Sequence, residues 1–469
     1  MRAHSSEPPG RIGPLLAHLR LARGLTQLRL AELLCAAAGI STVTRHEVSR
    51  WERGERVPGR FWREWLAVVL DTPLEHLEAA AAVSRGGRPV PARPRLAGLW
   101  DPPTVAGLLA ELDHASVADL PALAQEWLTA TPPPGAAGPL CYGPVHRPGH
   151  AGPAETLDVL AARLADLRRM DDVVGGLDLA GRAARELRAA IAGLRGVGEG
   201  RLRTRALRVI AGYAQLTGWA HTDAEDALAA RRAYRVALRA ATAAGDRPLA
   251  AHVLGSLSHQ SLAAGAPDEA LALARAGYAG ARADGTPLLQ ALLLQRIALA
   301  HARLGERRAA EVALADAERA ADRSEPASEP EWLYWLDQSE LTAMAGRCLA
   351  VLGRPLRAAG LLSQRPRTWV GPRTATLYAA WLARSLLTLG EVERAGHLAT
   401  RMLRLAVTAG SARAATALRR LHPLLLRHRD VPVVRRYERL AAAASAYLPD
   451  GEGDAPVRRP PVRRLRVAR

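Results

Sequence analysis

The side chains best suited to chemistry on a partner are the polar groups between Arg20 and Pro58. In the stretch T-R-H-E-V-S-R-W-E-R-G, Val48 and Trp51 lie three apart, the spacing of neighbours on one face of a helix. With those two turned inward, Thr44, Arg45, His46, Glu47, Ser49 and Arg50 are left toward the outside. Arginine is the natural reader of guanine O6 and N7, and one bidentate contact gives about 1–3 kcal/mol of discrimination. Upstream, R-L-A-R-G-L-T-Q places Thr26 and Gln27 at the start of another short helix. Thr26 can cap it, turning its free amides and positive dipole end toward a phosphate. Gln27, in the first turn, can donate to the same phosphate. Two short helices with such an outer face suit double-stranded DNA as partner.

Those side chains need a scaffold, and the surrounding pattern supplies one. Leu30, Leu33 and Leu34 recur at helical spacing, and Ala31 is small where two helices would cross. Residues 11–82 read as a compact helical domain, with helices expected at Ile12–Ala22, Thr26–Ala37, Thr44–Arg53, Arg60–Leu70 and Pro73–Ala82. Phe61, Trp62 and Trp65 on the fourth helix read as core packing or a dimer contact. Residues 1–10 read as disordered. Residues 83–153 read as a linker of Pro/Gly-rich loops, with two short helices between Leu96 and Thr131.

From 154 to 448 the pattern is helical and repetitive. Gly265, Gly305, Gly353 and Gly390 each end a helix and precede a short polar turn and an Ala-rich helix, at intervals of 37 to 48 residues. A unit of that kind cannot bury its apolar face alone, so units stack into a superhelix. The expected fold class is all-α. The tail 449–469 is Pro-broken and basic, and reads as a disordered tail or a phosphate-binding arm.

The submotifs R-x-x-R-G-L-T-Q and S-R-W-E-R-G-x-x-x-P resemble the Xre-type (lambda-repressor-like) helix-turn-helix family. They comprise Arg20, Arg23, Gly24, Leu25, Thr26 and Gln27, then Ser49 to Gly54 and Pro58. The resemblance implies that Thr44, Arg45, His46 and Arg50 read bases. It implies that Thr26, Gln27, Arg29, Arg53 and Arg56 contact the DNA backbone. It also implies a structural role for Val48 and Trp51, and for Glu52 pairing with Arg20 to hold the recognition helix. The segment from Leu34 to Val48 is about three residues longer than the family's turn, so either the second helix extends or the loop enlarges. Residues 154–448 resemble tetratricopeptide repeats, with Trp219, Tyr278, Tyr334 and Trp381 as packing residues of that kind. By resemblance to peptide-sensing regulators, the repeat groove would take a peptide or protein effector.

Composition narrows the function further. The net charge is +18, and all 64 basic residues are Arg, with no Lys and no Asn, so part of the basicity reflects codon bias. Residues 1–70 hold 11 Arg against 6 acidic residues, and the tail from Gly451 holds 6 against 2. Charge is therefore densest at the two ends. Without lysine there is no phosphate-loop, Schiff-base or kinase-type lysine chemistry. Cys141, His146 and His150 are the sole metal-like grouping and lack a fourth ligand. The segment Gly196–Gly200 reads as a connector, and no cofactor or enzymatic activity is expected. The acidic residues Glu329, Glu331, Asp337 and Glu340 accompany Trp332, Tyr334 and Trp335 and either line a groove or pack a repeat.

The three cysteines form no paired framework, and no apolar run nears the ~18 residues of a membrane helix. The expectation is a cytoplasmic, nucleoid-associated transcription regulator that dimerises to bind two half-sites. The alternative is a repeat-based scaffold whose N-terminal domain binds protein.

Overall fold

The computed structural model describes residues 12–22, 25–40, 42–70, 72, 74–84, 103–114, 120–129, 153–325, 328–364 and 371–449. These residues are helical or connecting, with no strand among them. No helix among them is long and apolar enough to cross a membrane. The segments read as disordered at 1–10 and as a basic tail beyond Pro449, and the Cys141–His146–His150 grouping, lie outside the described residues.

Five helices form a first core: α1 (Ile12–Ala22), α2 (Gln27–Ala38), α3 (Arg45–Glu52), α4 (Arg60–Val69) and α5 (Leu74–Ser84). Ile12, Leu16, Leu30, Leu34, Val48, Trp51, Leu66 and Leu77 are buried together. Thr26 caps α2, its Oγ1 accepting from Arg29 N at 3.0 Å, as the sequence suggests. α2 runs to Ala38 and stops at Gly39, whose φ of +67° closes the helix through a bond to Cys35 O. The long turn is then stapled from within, because Cys35 Sγ donates to Val43 O at 3.2 Å. Thr44 caps α3. Arg63, 4% exposed, ties α4 to Glu78 on α5 and to the Pro58 carbonyl behind α3.

The remaining helices share a second core: α6 (Val105–His114), α7 (Leu120–Thr129), α8 (Pro153–Val173), α9 (Gly176–Gly193), α10 (Arg201–Asp223), α11 (Ala227–Ala243), α12 (Arg247–Ala263), α13 (Pro267–Gly280), α14 (Pro287–Leu304), α15 (Arg307–Ala321), α16 (Gln338–Val351), α17 (Pro355–Ser363), α18 (Pro372–Thr388), α19 (Val392–Thr408), α20 (Ala412–Leu425) and α21 (Pro432–Ala444). The short helices α6 and α7, from the segment read as a linker, belong to this core. α6 lies on α9 and α11, and α7 on α13. The Gly196–Gly200 segment is a connector between α9 and α10, as expected.

The same turn recurs where paired helices join. After α12, α14, α16 and α18, a left-handed glycine (Gly265, Gly305, Gly353, Gly390; φ +72° to +80°) donates three residues back, and the next residue donates five back. That is the Schellman arrangement, which glycine adopts without a Cβ penalty. Glu225 holds the same place after α10 at φ +61°, and Thr416 on α20 donates to its carboxylate.

Alternate helices make an inner layer. α10, α12, α14, α16, α18 and α20 touch in succession, and α20 returns to α10, so the inner helices form a closed ring. Closure is polar and buried. Asp223 at the end of α10 accepts from Gly176 N (2.9 Å), Ser411 Oγ (2.9 Å) and Arg413 Nε (3.1 Å). Asp171 of α8 receives both Arg373 terminal nitrogens at 2.8 Å. At the seam Leu177 N donates to Gly410 O at 3.2 Å. A Cβ at Gly175 would stand 2.1 Å from that same carbonyl oxygen. Gly175→Ala therefore must part the seam. The expected result is a loss of roughly 1–3 kcal/mol in urea unfolding, the usual scale for overpacking.

Candidate functional site

Two regions concentrate polar side chains that the core does not need. The first is the outer face of α3. Val48 and Trp51 are 1% and 2% exposed, and they fix which way the helix faces. Glu52 anchors its C-terminal end, as expected from the resemblance. Arg20 donates to both carboxylate oxygens of Glu52 at 2.5 and 3.0 Å, and to Leu25 O at 2.7 Å. Gln27 joins this anchor through a 2.8 Å bond from Nε2 to Glu52. Its amide carries a second hydrogen, so a phosphate contact requires Gln27 to serve both partners.

Thr44, Arg45 and His46 are exposed at the N-terminal end of α3. Arg45 and His46 form no ion pair or hydrogen bond among the described residues. The other expected contacts are engaged. Arg50 pairs with Glu47 (3.2 Å), Arg53 with Glu55 (2.6 Å) and Ser49, and Arg56 with Glu47. Arg29 pairs with Glu32 at 3.0 Å. Glu47 and Glu55 are the residues that sequence reasoning left without a role. Exposed pairs of this kind are weak, so a polyanion can displace them. Behind α3, Trp62 lies 6.2 Å from Trp51 and 5.0 Å from Phe61; Trp65 is buried in the domain core, Trp62 packs against it, and Phe61 is 39% exposed.

The second region is a cavity of about 620 Å³ inside the helix ring. Trp332, Tyr334 and Trp335 form part of its wall with Asp337 and Glu340, whereas Glu329 and Glu331 of the same patch do not line it. Trp219 and Trp381 face it as well, rather than serving only to pack neighbouring helices. Tyr278 packs against the core. Trp332 stacks on His252 with centroids 4.8 Å apart, and Arg413 lies over Trp219 at 4.9 Å. Eight arginines, seven from the inner helices and Arg168 from α8, line this wall against five carboxylates. Two arginine pairs, Arg296/Arg303 on α14 and Arg413/Arg420 on α20, are spaced seven apart, two helical turns on one face. That spacing was the available sequence signal, submerged in an arginine-rich chain.

Electrostatics inside the ring follow from burial. Burial lowers the His252 imidazole to about 3, with Arg296 and Arg168 adding repulsion, and it lowers His259 well below 6.5. Burial would lower Arg373 also, but Asp171 and Asp223 outweigh it and hold the guanidinium raised. Burial raises Asp172 against the opposing hydrogen bond from Tyr334. No group of three or more histidine, cysteine or acidic residues suited to a metal occurs among the described residues.

The two regions meet through α4. Val68 packs against the ring core, and Gln125 Nε2 on α7 donates to Glu64 O at 3.3 Å. Comparison of the sequence with models of protein families and with curated proteins yields no match.

The histidines give a pH prediction. Both have folded pKa values below the unfolded value of about 6.5, so the unfolded chain binds more protons as pH falls. Their contribution is fully present above about pH 6.5 and is lost progressively toward the folded pKa. Stability should fall below pH 6.5 by up to about 1.4 kcal/mol per pH unit for each histidine. Urea unfolding between pH 7.5 and pH 5 (roughly one unit above and one and a half below the free imidazole value) measures it, and His252→Gln should flatten the slope.

Proposed function

We propose that this chain is a sequence-specific DNA-binding transcription regulator. Its five-helix domain reads DNA in the manner of Xre-type proteins, and its tetratricopeptide-like ring receives an effector. The observation that carries the reading is the α3 face. A helix capped by Thr44 and held by Val48, Trp51 and the Arg20–Glu52 anchor presents Arg45 and His46 exposed and without partners among the described residues. Arg50 sits one turn further along, and Arg53 and Arg56 flank the helix end.

A helix lying in the major groove reads bases chiefly with its N-terminal residues. Arg45 and His46 have that position. Thr26 at the head of α2, with Arg29, Arg53 and Arg56, supports the phosphate contacts that set register. One domain of this size covers limited DNA, so two copies on half-sites about 10 base pairs apart are the natural arrangement. The acidic partners Glu47 and Glu55 are the observation that favours the rival reading, a protein-binding scaffold.

Salt titration of binding to a selected site separates the two. Operator binding should weaken steeply with salt, through counterion release. Arg45→Ala or Arg50→Ala should cost about 1–3 kcal/mol on the preferred site and relax preference at one position. Arg53→Ala should weaken all sequences alike and lower the salt slope by about 1. If none of these changes alters DNA affinity, the scaffold reading replaces this one.

A further inference from the structure

We propose that the cavity within the helix ring binds a small organic anion through its oxyanion groups, carboxylate or phosphate. This deepens the effector reading above and rests on it. The ligand class follows from an excess of buried hydrogen-bond donors over acceptors.

His259 displays the excess most directly. Arg296 Nη1 approaches its Nδ1 at 3.0 Å, and Arg413 Nη1 approaches its Nε2 at 2.8 Å. A neutral imidazole has one lone pair and one N–H. Only one guanidinium can therefore find an acceptor, and the other N–H faces a second N–H. An imidazolium would face two cations, which is worse, and burial holds this ring neutral.

The neighbouring cations have the same deficit. Arg296 is 7% exposed, and its Nε has no hydrogen-bond partner. The Nε of Arg347 is buried and unpaired too, and Arg347 makes no ion pair or hydrogen bond among the described residues. Burial and mutual repulsion lower both guanidiniums, Arg296 to about 10. The acids nearby are already committed, since Tyr378 donates to Glu340 and Asp171 is taken by Arg373. Buried cations without acceptors are destabilising, and they persist where a ligand supplies the missing oxygens.

The arrangement also limits the ligand. A cavity of about 620 Å³ lies within the small-molecule range of roughly 300–1,000 Å³ and cannot admit a folded protein. Arg303 and Arg384 lie over Trp381, their Cζ atoms 5.9 and 5.0 Å from the ring centroid. Planar forks of that kind match carboxylate and phosphate geometry.

The test is thermal melting of the full chain in millimolar inorganic phosphate or citrate, against sodium chloride of equal ionic strength. At least one anion should raise the melting temperature by several degrees over chloride. A response to phosphate alone identifies a phosphate-bearing ligand, and a response to citrate alone identifies a polycarboxylate. Arg347→Met should melt higher than wild type without anion, because it removes a partly buried cation whose buried Nε is unpaired, and should lose the anion response. Arg303→Gln, at the exposed rim, should reduce that response without disturbing buried packing. The proposal is overturned if neither anion acts beyond chloride, or if wild type and both variants respond equally. Melting is read without DNA, so its failure leaves the DNA-binding reading intact, and loss of DNA binding leaves this one intact.

Discussion

Asp223 is the constraint on which the repeat region depends. It has no exposure to solvent, and its carboxylate accepts from Gly176 at the head of α9, Ser411 before α20 and Arg413 within α20. Those partners lie up to 190 residues from Asp223 in sequence. A stack of helical hairpins has no inherent reason to close, since each unit buries its face against the next. A buried carboxylate changes that balance. Once desolvated it requires its donors, and only the returning α20 supplies Ser411 and Arg413. Closure turns a concave surface into a partly open cavity, with Arg296, Arg347, His252 and His259 in its wall.

The five-helix domain shows the same logic on a smaller scale. Glu52, with 7% of its side chain exposed, is held by Arg20 and Gln27, and through it α1 and α2 fix the orientation of α3. The acid thus determines which residues of α3 are free to meet a partner. α4 connects the two regions, with Trp62 near Trp51 on one side and Glu64 and Val68 at the ring on the other. Contact of this kind supplies a physical route between the ring cavity and the α3 face. Coupling further requires that the joint have two arrangements which the two sites favour differently.

Much of this was legible in the sequence. Thr26 as a cap, Val48 and Trp51 inward and the glycine turns follow from local rules of spacing, capping and left-handed backbone, whereas the Arg20–Glu52 pair came only from the family resemblance. Ring closure was not legible. Asp223–Arg413 and Asp171–Arg373 join residues whose pairing no periodicity encodes, among 64 arginines and 46 acids. The cavity was visible only in fragments. Trp332, Tyr334 and Trp335 stood out by type, whereas the converging arginines did not, because arginine is this chain's only strong base. The acids Glu47 and Glu55, which pair with Arg50, Arg53 and Arg56, were equally hidden, since an exposed acid beside an arginine is commonplace on a helix surface.

The most direct test of the central claim is selection of bound fragments from a random pool of duplex DNA, at a salt concentration that suppresses non-specific binding. The account predicts enrichment of a short motif containing guanine contacts, in two inverted copies about one helical turn apart. Retention of DNA without any enriched motif, or no retention at all, would contradict it.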